Sequence, residues 1–201
     1  PAWVKFIEHQ FPELLEVPST CKSPHIMFGA IAKTYYAEKN GIDPDNIVVV
    51  SVMPCIAKKA EAKRPELTKD EHNNVDIVIT TRELGRMIKE AGIHFANLPE
   101  GEFDRPLGLT TGASVIFGTT GGVIEAVVRT AAEWLTGEKL EKVEFEQLRG
   151  ADGLRKATVR IGGKDLRIGI ASGLGNAREL LEQVRDGKAE YDAIEIMACP
   201  G

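Results

Sequence analysis

The feature that most constrains the fold is a set of short apolar runs, rich in valine and isoleucine, at residues 47–53, 75–79, 166–171 and 193–197. Runs of this length, bounded by turn residues, read as strands, and those at 47–53 and 75–79 as strands buried on both faces. Outside them apolar residues recur at helical spacing, as in Trp3, Phe6, Ile7 and Phe11 before Pro12. Strand and helix patterns that alternate in this way restrict the chain to an α/β architecture, in which helices connect strands of one sheet. No apolar run approaches the roughly 18–20 residues needed to cross a bilayer as a helix.

Local signals place the elements. Ser23-Pro24 opens a second helix, with Ser as N-cap and Pro in the first position, and Asn40-Gly41 closes it. A turn at 44–46 leads into the strand at 47–53, and a helix is expected after Cys55. Thr80-Thr-Arg-Glu83 has the form of a capping box for a helix through Glu90. Residues 97–114, rich in Gly, Pro and Thr, read as a long loop. A helix over 123–135, a strand over 143–148, a hairpin of 157–161 and 166–171 around Gly162-Gly163, a helix over 176–185 and a strand over 193–197 complete the pattern.

At 201 residues and 43% hydrophobic content, the chain can build one sizeable core or one domain of two lobes. The net charge of −5 and the scattered basic residues argue against a nucleic-acid binder, which presents a basic face. The densest basic cluster, residues 58–64, reads as a solvated helix face. Three widely spaced cysteines, Cys21, Cys55 and Cys199, form no disulfide framework and point to a reducing compartment, the cytoplasm by default with the periplasm left open.

Two of these cysteines occupy matching positions. Cys55 follows the strand 47–53 and Cys199 follows the strand 193–197, each beside a proline and close to a methionine. Ligands of open α/β sheets collect beyond the carboxyl ends of the strands. A helix starting after Cys55 would aim its positive end there and favour a thiolate or an anionic cluster. The competing reading is that both are small buried hydrophobes, the usual state of a free cysteine. The glycine-rich stretch Gly118-Thr-Thr-Gly-Gly122 could cradle an anion, but it and Gly173-Leu-Gly175 lack the spacing of nucleotide-binding loops and read first as turns or tight-packing sites. His9, His25, His72 and His94 show no paired metal-ligand spacing.

Met53-Pro-Cys55-Ile-Ala-Lys58-Lys-Ala-Glu61 matches Met-Pro-Cys-x-x-Lys-x-x-Glu, the second signature of the iron-only ([FeFe]) hydrogenases. Glu195-Ile-Met-Ala-Cys199-Pro-Gly201 is similar to the opening of their third signature, and Pro1-Ala-Trp3 to the tail of their first. Residues 19–24 and 112–123 also resemble family segments, so the likeness runs the length of the chain. The resemblance implies a two-lobed large-domain fold with twisted, mainly parallel sheets flanked by helices, and an H-cluster between the lobes. That cofactor is a [4Fe-4S] cubane joined through a cysteine sulfur to a two-iron unit carrying carbon monoxide, cyanide and a bridging dithiolate.

On this resemblance Cys55 and Cys199 are two of the cubane ligands, and Lys58 donates to a cyanide of the two-iron unit. Ser23 and Pro24 match the loop beside a cyanide, and Ser19 the serine of the proton path. Met53, Phe117, Val123 and Met197 match the apolar wall of the pocket. His25 stands where a glutamine is expected and could change charge near neutral pH, and Cys21 has only a structural role. The implied activity is the reversible reduction of protons to dihydrogen, with ferredoxin or another electron carrier as partner, directly or through accessory iron–sulfur domains or subunits. Neither a nucleic acid nor a membrane is implied as partner. The rival readings are a sensory hydrogenase and a non-hydrogenase iron–sulfur assembly protein related to the nuclear prelamin A recognition factor. All of residues 1–201 are expected to be an internal piece of the catalytic domain, cut inside signature motifs at both ends and inactive alone.

Overall fold

A computed structural model describes residues 2–69, 72–109, 112–137 and 153–198. Cys199 and the strand expected over 143–148 lie outside them. The chain opens with helix α1 (Ala2–Gln10) and divides into two compact units, Ser19–Leu109 and Ala2–Pro18 together with Thr110–Gly201.

In the first unit, α2 (Pro24–Ile31) starts on the expected Ser-Pro pair and continues through a wider π-helical turn, Ala32–Tyr36, into α3 (Ala37–Asn40). Gly41, at φ 63°, ends it, and the Ile42 amide donates to the Ala37 carbonyl at 2.9 Å. Ser23 is extended as an N-cap should be, but its hydroxyl caps no helix amide and donates to Glu61 instead. Gly29 is a packing requirement, because a Cβ there would lie 2.0 Å from the Asn74 carbonyl oxygen.

Strand β1 (Val50–Met53) leads to the short helix α4 (Ala57–Glu61), then a two-residue antiparallel pair, β2 (Thr68–Lys69) and β3 (His72–Asn73). Strand β4 (Ile77–Thr80) pairs parallel to β1, Val50 opposite Ile77 and Met53 opposite Thr80. The strand expected from residue 47 thus begins three residues later. The Asp76 carboxylate takes the Val49 amide at 2.7 Å, while the Val49 carbonyl accepts from the Ile77 amide at 3.2 Å. Burial is one-sided, with Val49 and Ser51 inside while Val48, Val50 and Val52 are exposed, which corrects the expectation of a strand buried on both faces. The core joins Ile26 and Ala32 to Val49, Ala62 and Val75. Helix α5 (Thr81–Glu90) begins on the expected capping box.

In the second unit, α6 (Ala113–Ile116) adds a helical turn where loop was expected, and α7 covers Gly122–Thr136. Strands β5 (Leu154–Ile161) and β6 (Lys164–Ser172) form the expected hairpin. Gly162 and Gly163 have φ of 55° and 83°, the two left-handed positions that a two-residue turn of this hand requires. After α8 (Leu174–Arg185), β7 (Ala193–Met197) pairs parallel to β6 and completes the sheet order β5-β6-β7. Alternation along β6 divides the core. Ile168 and Ile170 pack with Ile124, Val128 and Ala132 of α7, while Ala171 packs with Ala177 and Leu180 of α8. Phe11 and Ile7 of α1 and the loop after it close over Leu181 of α8. The architecture is α/β, as expected, with small parallel and mixed sheets.

The capping box gives a pH-dependent prediction. The Glu83 carboxylate accepts from Lys59 Nζ at 2.6 and 2.8 Å and from the Thr80 amide at 2.7 Å, and these donors hold its pKa down from an ordinary 4.5 to about 2. A depressed carboxylate contributes stability above its unfolded pKa and loses it as pH falls through the folded one. Glu83→Gln should therefore destabilise the protein at pH 7, and the difference should shrink between pH 4.5 and 2 in chemical denaturation. Thr80→Ala should cost about 1 kcal/mol.

Candidate functional site

Cys55 lies two residues past the end of β1, with a free, half-buried thiol. Its carbonyl accepts from the Lys58 amide at 3.2 Å as the chain turns into α4. Because α4 has only five residues, it supplies little of the dipole expected to act on this thiol. The basic cluster is not a uniformly solvated face either. The Lys58 side chain is only 18% exposed, and its ammonium donates to Glu61 Oε2 at 2.7 Å.

Glu61 organises this end of the unit. Its Oε2 also accepts from Ser23 Oγ at 3.0 Å and lies 2.6 Å from His25 Nε2, while His25 Nδ1 is 3.0 Å from Ser51 Oγ. Both the His25 and Glu61 side chains are buried. Burial by itself would raise the Glu61 pKa, but hydrogen bonds from Lys58, His25 and Ser23 outweigh it and bring it below the ordinary carboxylate value. Burial also pushes His25 below its ordinary 6.5, against the opposing pull of Glu61. The shift favours the neutral imidazole at pH 7. An ionised carboxylate only accepts, so Nε2 carries the proton and Nδ1 accepts from the Ser51 hydroxyl.

Ser19 is exposed, and its hydroxyl accepts from the Cys21 amide at 3.1 Å. Cys21 itself is exposed, not the buried hydrophobe that a structural cysteine would be. Pro24 is exposed at the first position of α2, and Met53 is half-buried at the end of β1. The sequence pointed to Glu61 only as the last residue of the Met53–Glu61 match, with no role, and to Ser51 not at all. The i, i+3 spacing of Lys58 and Glu61 was a usable signal, as was a lone serine in a run of valines, a buried polar group that needs a partner.

The second unit holds Phe117, half-buried, Val123, 39% exposed, and Met197, half-buried, whose carbonyl accepts from the Gly173 amide at 2.8 Å. The loop 118–122 does cradle an anion, and the anion is Glu195 of β7. One carboxylate oxygen accepts from the Gly121 amide at 2.6 Å and the other from the Ile124 amide at 2.7 Å, at the N-terminus of the fifteen-residue α7. Gly122 is obligatory, since a Cβ would lie 1.8 Å from the Ile116 carbonyl oxygen. Gly173 is the left-handed turn residue ahead of α8. Among the described residues no three His, Cys, Asp or Glu side chains form a metal-binding group, and no helix is long and apolar enough to cross a membrane.

The fold is that of a hydrogenase large domain. [FeFe]-hydrogenase HydA1 from Chlamydomonas reinhardtii superimposes with a TM-score of 0.79 at 41% identity, over 100% of this chain and 58% of that one. The family model for the iron-only hydrogenase large subunit, C-terminal domain, matches residues 1–201, and the chain belongs to that family. The NADP-reducing hydrogenase subunit HndD of Solidesulfovibrio fructosivorans is 61% identical over 201 residues, which is 100% of this chain and 34% of the subunit. Cytosolic iron-sulfur assembly component 3 of Mus musculus is 34% identical over 209 residues, 100% of this chain and 43% of that protein. The chain thus spans between about a third and somewhat over half the length of these relatives.

The Glu195 contact predicts a stability loss. Glu195→Gln turns an amide donor toward one of the two helix amides and leaves that amide unpaired, which should cost about 1–3 kcal/mol in urea unfolding. An unchanged midpoint would show that the carboxylate is not what closes this helix end.

Proposed function

We propose that the chain contributes to a hydrogenase site that reversibly reduces protons to dihydrogen. The observation that carries this reading is the Cys55-to-Glu61 signature, with its lysine half-buried and ion-paired, in a chain matched by the family model from end to end. The residues fit an anionic iron–sulfur group by the chemistry of their donors. Cys55 offers a free, half-buried thiol at the end of a strand, and Lys58 an ammonium one helical turn later. When bound, the H-cluster would supply electron relay and the proton-to-hydrogen chemistry.

In this reading Cys55 and Cys199 are cubane ligands, and Lys58 donates a charge-assisted hydrogen bond to the two-iron unit. The Ser23–Pro24 loop lies beside it. Met53, Phe117, Val123 and Met197 restrict water, and Ser19 belongs to the proton route. Electrons come from ferredoxin or another carrier, through accessory iron–sulfur domains or subunits, in the cytoplasm or the periplasm. The identity of 61% to a hydrogenase subunit against 34% to an assembly component favours the enzyme over the assembly reading.

In the complete protein, Cys55→Ala should abolish both the cubane spectrum and hydrogen turnover. Lys58→Ala should abolish turnover by impairing retention of the two-iron unit while the cubane signal persists. Normal hydrogen evolution by either variant would refute the assignment of that residue.

A further inference from the structure

Glu61 Oε2 is the meeting point of three donors, Ser23 Oγ at 3.0 Å, His25 Nε2 at 2.6 Å and Lys58 Nζ at 2.7 Å. They come from the turn before α2, from its first turn and from α4, so one oxygen ties two separate segments together. Two of those donors, Ser23 and Lys58, are the ones proposed above to lie beside the two-iron unit. We infer that Glu61 is a positioning residue for that pair: its carboxylate, held by His25 and Ser23, fixes the direction of the Lys58 ammonium and cancels its charge.

Three features support this. A lysine has four rotatable side-chain bonds and three ammonium hydrogens. The Glu61 contact removes most of that freedom and commits one hydrogen, which leaves two for a ligand. His25, braced by Ser51 at 3.0 Å, prevents the carboxylate from turning to follow the lysine. With His25 neutral, Lys58 and Glu61 present a pair of zero net charge, so the bound group meets a directed donor rather than a full uncompensated cation. Removing the carboxylate charge should then change the electrostatics at the cofactor as well as the geometry. The inference rests on the reading that Lys58 faces the two-iron unit.

The test uses the complete, cofactor-loaded protein. Glu61→Gln keeps the shape and removes the charge. It should shift the cyanide stretching bands in the infrared, raise the midpoint potential of the cofactor through the uncompensated Lys58 charge, and lower turnover by about 10- to 100-fold. Glu61→Asp restores the charge on a shorter arm and should return the bands and potential toward those of the parent. Bands and potential in Glu61→Gln that coincide with the parent's would overturn the inference. Should the Gln variant not fold, the turnover of Glu61→Asp decides: its shorter reach should weaken turnover although the charge is kept, and turnover equal to the parent's would overturn the inference. Lys58→Ala, run in parallel, separates the two claims. If it alters the bands and Glu61→Gln does not, only the role of Glu61 falls; if it leaves them unaltered, the placement of Lys58 falls and the inference with it.

Discussion

A carboxylate taken out of water must find within the protein what water gave it, and the end of β1 is built around meeting that demand for Glu61. Uncompensated, burial of such a charge costs several kcal/mol. Here a cation, a hydroxyl and an imidazole N–H converge on one oxygen, and the net effect keeps the group ionised. The arrangement ties the loop at Ser23, the first turn of α2 and the helix after Cys55 into one unit. The hydroxyl that local sequence would assign to capping α2 is drawn into it, and α2 begins without a side-chain cap. A longer-range interaction has overridden a local preference.

The second unit solves a related problem with different parts. Glu195 sits on β7, two residues before Met197, and its partners are backbone amides at the head of α7. In both units a signature acid stands a few residues from a signature cysteine, Glu61 after Cys55 and Glu195 before Cys199. In both, the acid is engaged by donors of its own unit. Glu61 fixes side chains around it, whereas Glu195 fixes the backbone at the head of α7.

Elements set by strong local chemistry were legible in the sequence. The capping box at Thr80, the two-glycine turn at 162–163 and the strand at 193–197 are dictated by residues a few positions apart. What was not legible depended on distant groups. The Val49 amide, just ahead of β1, is taken by the Asp76 carboxylate, twenty-seven residues away, and the Gly121 amide by a side chain more than seventy residues on. A glycine-rich turn before a helix announces that it will receive an anion, but not whose. The pairing of Lys58 with Glu61 was legible by spacing, whereas their burial was not, because a run of Lys, Glu and Ala residues looks the same on a solvated face.

His25 serves two partners at once, Glu61 and Ser51. Where the family resemblance leads one to expect a glutamine, the position must donate to Glu61 and accept from Ser51. An amide does this with its NH2 and its carbonyl; a neutral imidazole does it with Nε2–H and Nδ1. The substitution is conservative only while the ring is uncharged, and burial provides that condition by pushing its pKa below the ordinary value. Protonation would place a second N–H against the Ser51 hydroxyl, forcing it to turn and accept, and would add a cation beside Lys58. The linkage has one sign for both partners. A histidine held below its unfolded pKa and a carboxylate held below its own both favour the folded state at higher pH and lose that contribution on acidification. Acid therefore acts on the same few atoms twice, by charging the ring and by discharging the carboxylate that orients Lys58.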